Sequence, residues 1–302
     1  MPFEAQDRLA LTLLNRIELR PGTQIALNTI EFTALIGLGA MVAGFLGALT
    51  GLGGGVVIVP LLTLVFGVDI HYAIGAALVS VIATSSGAAA AYVREGYSNV
   101  RVGMFLEIAT TVGALVGAAL VLHLRVSVIS IIFGVVLLYS AYASMTEHDE
   151  HASTNAGPDR IATWLKMDST YPTENGLESY HVRGVPQGFG LMFVAGVLSG
   201  LLGIGSGAVK VLAMDKAMKL PFKVSTTTSN FMIGVTAAAG AGVYLRRGYI
   251  DPGLAMPVML GVLAGSLIGA RLLAGARVKV LRMVFSAVIA VLALEMIYNG
   301  LK

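Results

Sequence analysis

Long uncharged stretches separated by short polar turns dominate this chain. Residues 32–68, 72–93, 126–146, 184–209, 224–245 and 252–270 contain no Asp, Glu, Lys or Arg. Each is long enough to cross a hydrocarbon core of about 30 Å as a helix, which takes about 20 residues. Two further stretches, 102–122 and 283–301, carry one acid each, Glu107 and Glu295, and complete a pattern of four apolar segments per half. At least eight membrane-spanning helices follow.

The apolar pattern is written twice. Segment 44–60, GFLGALTGLGGGVVIVP, recurs without a gap 152 positions later as 196–212, GVLSGLLGIGSGAVKVL. The register continues into the turns: Tyr92, Arg94, Gly96 and Tyr97 align with Tyr244, Arg246, Gly248 and Tyr249, and Gly113 and Gly117 with Gly265 and Gly269. Between the copies, residues 147–186 are polar and acidic, with Trp164 as a candidate centre of local order. The expected organisation is a tail or interfacial helix over 1–29, a transmembrane repeat over 30–146, an extramembrane linker over 147–186 and a second repeat over 187–302. Its fold class is an all-α polytopic membrane protein, two homologous repeats of four to five transmembrane helices each, with Gly-rich broken helices at the repeat interface. Halves of this kind are typical of secondary transporters, whose substrate sits between repeats near the bilayer midplane.

The first uncharged run holds 37 residues, 32–68. As one helix it would reach about 55 Å at 1.5 Å per residue, well past the core thickness. Residues 51–55, GLGGG, mark the break, because glycine loses most on entering a helix and accepts backbone angles closed to other residues. Residues 203–207, GIGSG, repeat it. Unwound backbone at membrane depth is tolerated only where it is buried or lines a wet cavity, and a helix restarting there turns free N–H groups towards an anion. Tight helix crossing is the alternative use of the same glycines. Four spans per half would make the copies parallel and five would invert them; the 37-residue run favours inversion, while the distribution of Lys and Arg among the loops leaves both open.

Composition narrows the class. Only 12% of the residues are charged, against roughly 25% in a soluble domain, and mean hydropathy is +0.81. The 37 glycines include the pairs Gly113 and Gly117, Gly261 and Gly265, and Gly265 and Gly269, spaced for close helix contact. A methyl at Gly117 is therefore expected to do less harm than a valine at Gly54. There are no cysteines, which excludes disulfides, thiolate metal sites and cysteine nucleophiles. The net charge of +3 is scattered, so nucleic acid is not an expected partner.

The paired glycine motifs, the small and hydroxylated helix after each, and the R-x-G-Y turns resemble the sulfite exporter TauE/SafE family, also called TSUP. The resemblance covers roughly residues 34–122 and 188–273. It implies a transporter of sulfite, organosulfonates or related small organic anions in a prokaryotic cytoplasmic membrane. Two positions depart from the motif: Leu212 stands where the first copy has Pro60, and Lys210 where it has Ile58.

Candidate substrate-binding residues are Gly53, Gly54, Gly55, Gly205, Ser206 and Gly207 of the breaks, Lys210, and the polar groups Ser80, Thr84, Thr228 and Asn230. Lys210 interrupts an apolar run and serves as countercharge for an anion; the competing readings are snorkelling to the interface and pairing with Asp215. Hydroxyls and amides can donate to an oxyanion without adding charge, although they also cap helices or bond back within them. Glu107 and Glu295 could take protons in a coupled cycle, but they lie away from the span centres and the solvated interface is the favoured assignment. The five histidines fall in loops or at span ends, so no metal site is expected, and no cofactor is implied.

The leading function is secondary transport of a small anion by alternating access, not enzymatic turnover. An anion channel is the nearest alternative. An intramembrane hydrolase built on Ser206 lacks a histidine base within the apolar spans, and a primary pump lacks the G-x-x-x-x-G-K-[ST] loop. Expected partners are a small anionic substrate and the lipid bilayer, with homodimerisation left open.

Overall fold

The structure, a computed structural model, describes residues 29–50, 55–94, 97–145, 159–173, 176–273 and 278–302. The expectations placed on the N-terminal tail and on Gly53 and Gly54 lie outside the described residues.

Helix α1 (Thr29–Thr50) precedes the first break, and α2 (Gly55–Pro60) relaxes into a π-helical turn, Leu61–Val65. Helices α3 (Ile70–Arg94), α4 (Val100–Leu120) and α5 (Val126–Met145) complete the first half. The second half runs through α7 (Val185–Leu202), α8 (Gly207–Leu212) with its π-helical turn Ala213–Ala217, α9 (Phe222–Arg246), α10 (Pro252–Leu273) and α11 (Val278–Leu301). Helix α2, its π turn and α3 each begin and end 152 residues before α8, its π turn and α9. The backbone therefore follows the sequence repeat down to the position of its irregular turns.

Directions follow from who touches whom. Gly39 of α1 lies against Leu61 and Phe66, and Gly188 of α7 against Met218. The segments that begin with α2 and α8 thus fold back along the helices before them. The 37-residue run forms two legs, as its length demanded. Equivalent helices of the two halves meet antiparallel: Gly234 of α9 abuts Ser85 and Gly240 faces Leu78 on α3, while Gly134 of α5 abuts Ile297 and Gly300 of α11 abuts Ile131. Five segments per half, related by an antiparallel pairing, is the inverted arrangement. The halves interlock as well, since α1 packs on α10 and α4 on α7.

The interlock depends on the small-residue pairs. A methyl on Gly117 would overlap the Val197 carbonyl, and one on Gly265 the Met41 carbonyl. Backbone, unlike a side-chain tip, has nowhere to retreat. A methyl at Gly117 is therefore costly in itself, and its ranking against a valine at Gly54 is a proposal, since Gly54 lies outside the described residues.

Among the described residues three helices, Val100–Leu120, Val185–Leu202 and Pro252–Gly269, are long and apolar enough to cross a membrane. On α4, Met104, Ile108, Val112 and Leu115 point outward, whereas Leu106, Ala109, Gly113 and Gly117 are buried. The outward face is as apolar as the inward one, which suits lipid rather than water as the surrounding solvent. This is a multi-pass membrane protein.

The linker supplies the exception to an all-helical chain. A short helix α6 (Arg160–Trp164) leads into a hairpin, β1 (Ser169–Thr173) paired antiparallel with β2 (Gly176–Tyr180). Trp164 itself is 80% exposed, so it does not organise the module. Ala162, Met167, Tyr171, Tyr180 and Val182 do, packing in one cluster with Val102 of α4, Met214 and Met218 beyond α8, and Val224 of α9. Asn99 pins the junction: its amide nitrogen donates to the Met167 carbonyl and the Tyr180 hydroxyl, both at 2.8 Å, while its oxygen caps α4 by accepting from the Val102 N–H at 3.1 Å. Burial pushes the Tyr180 phenol up to about 12.

Candidate functional site

The second break is built from left-handed backbone. Helix α7 ends at Gly203 with φ +70°, Gly205 follows with φ +71°, and Ser206 adopts φ +50° before α8 restarts at Gly207. A serine in this region costs about 1 kcal/mol relative to glycine, and strain of this sort is characteristic of functional segments. Its hydroxyl is buried without a hydrogen-bond partner among the described residues. The backbone around it is well tied: the Gly203 N–H donates to the Ser199 carbonyl at 2.9 Å and the Lys210 N–H to the Ser206 carbonyl at 3.0 Å.

The two breaks meet. A Cβ on Gly55, the first residue of α2, would stand 3.1 Å from the Gly203 carbonyl oxygen and 3.6 Å from the Ile204 Cα. Only glycine lets the first helix restart so close to the second reversal. Val81 of α3 and Ile233 of α9 press on Gly55 and Gly205 respectively and wall the junction with apolar surface.

One turn along α8, Lys210 is 0% exposed. Its Nζ donates to Thr236 Oγ1 at 2.6 Å, and Thr236 Oγ1 lies 2.7 Å from Glu107 Oε1, within donating distance. Thr111 Oγ1 reaches the same carboxylate oxygen at 3.3 Å. Glu107 Oε2 is buried with no hydrogen-bond partner among the described residues. Lys210 neither snorkels nor pairs with Asp215, which instead stands 3.4 Å from Lys216. Glu107 does not sit at a solvated interface either; it is a buried acid on the face of α4 that meets α9. Glu295 is exposed, as expected of an interfacial acid.

The remaining candidates divide by what they touch. Ser80 donates to the Ala77 carbonyl at 2.7 Å and Thr84 to the Ser80 carbonyl at 3.0 Å, so both bond back within α3. Thr228 Oγ1 accepts the Asn99 N–H at 3.0 Å and ties α9 to the start of α4. Asn230, inside α9, is half-buried. Next to it, Ser229 donates to the Gly207 carbonyl at 3.4 Å. Thr236 and Glu107 were not among the candidate site residues. Thr236 was visible as the repeat partner of Thr84, and Glu107 as an acid in an apolar span whose partner had to come from another helix.

Matches to known proteins agree with this architecture. The family model described as "Sulfite exporter TauE/SafE" matches residues 36–296. "Probable membrane transporter protein YunE" of Bacillus subtilis (strain 168) is 27% identical over 279 residues, covering 90% of this chain and 99% of the relative. "Probable membrane transporter protein YdhB" of the same organism is 27% identical over 232 residues, covering 76% and 84%. A "Probable membrane transporter protein" of Xylella fastidiosa (strain 9a5c) is 24% identical over 268 residues, covering 88% and 94%. No solved structure matches the chain.

Proposed function

Because the chain belongs to the sulfite exporter TauE/SafE family, we propose that this membrane transporter carries sulfite, organosulfonates or related small organic anions across a prokaryotic cytoplasmic membrane by alternating access between its halves. The anion sits where the reversals meet. Its ligands are the Ser206 hydroxyl, backbone N–H groups of Gly55, Gly205 and Gly207 and of the adjoining Gly53 and Gly54, the Asn230 amide, and Lys210 as countercharge. Thr228 ties α9 to the start of α4 for that site, while Ser80 and Thr84 bond back within α3. The observation that carries this reading is the buried, unpartnered Ser206 hydroxyl at the meeting point, one turn from a fully buried lysine. An oxyanion accepts from the hydroxyl and is attracted by the lysine, whereas a cationic solute would be repelled by it.

A thermal-shift screen of the purified protein with sulfite, thiosulfate, sulfoacetate, taurine and simple carboxylates tests it. Stabilisation follows RT ln(1 + [L]/Kd), so weak ligands register at high concentration. Anions should stabilise the protein and their uptake into proteoliposomes should saturate. Flux that rises linearly with concentration would indicate a channel, and no stabilisation by any anion would remove the proposal.

A further inference from the structure

We propose that Glu107 is the proton-carrying group that couples anion transport to the proton gradient, competing with the substrate for Lys210; this rests on the anion-transport reading above. The argument starts from the arrangement of three side chains on three helices. Glu107 comes from α4, Lys210 from α8 and Thr236 from α9, and the threonine hydroxyl bridges the charges at 2.7 Å and 2.6 Å. Lys210 is the only charged group acting on Glu107 among the described residues. Helix α7, packed along α4, has no ionisable side chain. On α9, Lys223 is exposed over the Tyr97 ring and Tyr244 bonds to the Gly200 carbonyl at 3.2 Å. Arg101, at the exposed start of α4, donates to the Lys166 carbonyl at 3.0 Å.

Two features make this more than a buried ion pair. First, the charges are joined through a hydroxyl, so either can let go without breaking a direct bidentate contact. Second, Glu107 Oε2 has no hydrogen-bond partner, which leaves a lone pair free to take a proton. Protonation forms one O–H bond at Oε2 and removes the carboxylate charge. Lys210 then stands as an uncompensated buried cation one turn from the Ser206 hydroxyl, and an anion at the break restores neutrality. Loss of the proton breaks that O–H bond, returns the carboxylate to Lys210 through Thr236, and releases the anion. Proton and anion therefore enter and leave together, and the device is a proton–anion symporter.

The test uses full-length protein in proteoliposomes with thiosulfate and sulfoacetate as labelled probes and a pH-sensitive dye in the lumen. Wild-type uptake should carry protons in the same direction, drive accumulation when the outside is acidic, and fall about tenfold per pH unit above its transition, as a single-proton requirement dictates. Glu107→Gln, which mimics the neutral acid, should keep anion binding and counterflow exchange but lose proton movement, accumulation and the pH dependence. Should Glu107→Gln fail to fold, Glu107→Gln combined with Lys210→Met removes both charges; it should fold, and should bind neither probe at any pH. Proton-coupled accumulation surviving in Glu107→Gln, or wild-type uptake with no proton movement, overturns the assignment while leaving anion transport intact. No uptake of either probe by wild type, together with no stabilisation by any screened anion, removes both.

Discussion

The molecule contains the same place twice, and only one copy is charged. Applying the 152-residue repeat to Lys210 and Thr236 gives Ile58 and Thr84, and the counterpart of Glu107 on α10 is Met259. Ile58 is fully buried and Thr84 bonds back to the Ser80 carbonyl at 3.0 Å, so nothing in that copy needs a counter-ion. The π turn and small-residue packing are shared by both halves, whereas the lysine, the acid and the bridging threonine meet in only one of the two places, built from α8 and α9 of the second half and α4 of the first. Duplication supplied the architecture of a moving pair. Substitution at two positions then gave it a polarity, which a symmetrical pair of apolar sites could not have.

The largest expected effect comes from breaking the charged copy unevenly. Lys210→Met leaves Glu107 buried without its cation, a situation that costs about 3–5 kcal/mol, and should lower the melting temperature in detergent and abolish anion stabilisation. Converting the charged copy into the apolar one, Lys210→Ile with Glu107→Met, should recover most of that stability while leaving transport absent. A double variant less stable than Lys210→Met alone would mean that the two charges do not act as a pair.

A second comparison concerns what the halves share. Gly113→Ala and Gly265→Ala push a methyl into equivalent carbonyls on the opposite half, those of Phe193 and Met41, and overpacking of this kind costs about 1–3 kcal/mol. Losses of similar size, read from thermal melts of purified protein, are expected for both. A large loss for one alone would show that the halves do not carry equal packing.

Ser206→Gly should separate strain from chemistry. Glycine relieves the left-handed backbone and should raise stability by up to about 1 kcal/mol, yet removing the hydroxyl should weaken anion affinity. Equal or tighter anion binding by this variant would exclude the hydroxyl from the site.

The smallest contrast is between the two threonines. Thr84→Val loses only a bond within its own helix and should change stability by well under about 1 kcal/mol, within the modest net worth of such bonds. Thr236→Val removes the bridge between Lys210 and Glu107 and should alter the pH dependence of uptake. Indistinguishable pH profiles for the two variants would contradict the bridging role.

Much of the backbone was legible in the sequence because its causes are local. A 37-residue apolar run with glycines in the middle is too long for one helix, and it forms separate helices Thr29–Thr50 and Gly55–Pro60 on either side of residues 51–54. The repeat carried that reasoning from one half to the other. Inversion was less visible, since the distribution of Lys and Arg did not decide it; the antiparallel contacts of α3 with α9 and of α5 with α11 did. Glu107 was misjudged because its distance from the span centre says nothing about its partner, which lies on helices more than 100 residues away in sequence. Its outward neighbours Met104 and Ile108 are as apolar as the core, so no alternation of polar and apolar positions distinguished the inward face of α4. At Gly117 the sequence pattern pointed to close helix approach, and only the structure shows that the approaching atom is a carbonyl.

The central claim is that the reversals of the two halves build one anion site, on the side that carries Lys210. Its most direct test is a structure of the protein with selenite, a scattering analogue of sulfite, located by the anomalous signal of selenium. The account predicts a single peak between Ser206 and Lys210, beside Gly55. A peak beside Ile58 and Thr84, equal peaks in both copies, or a peak confined to the extramembrane module would contradict it.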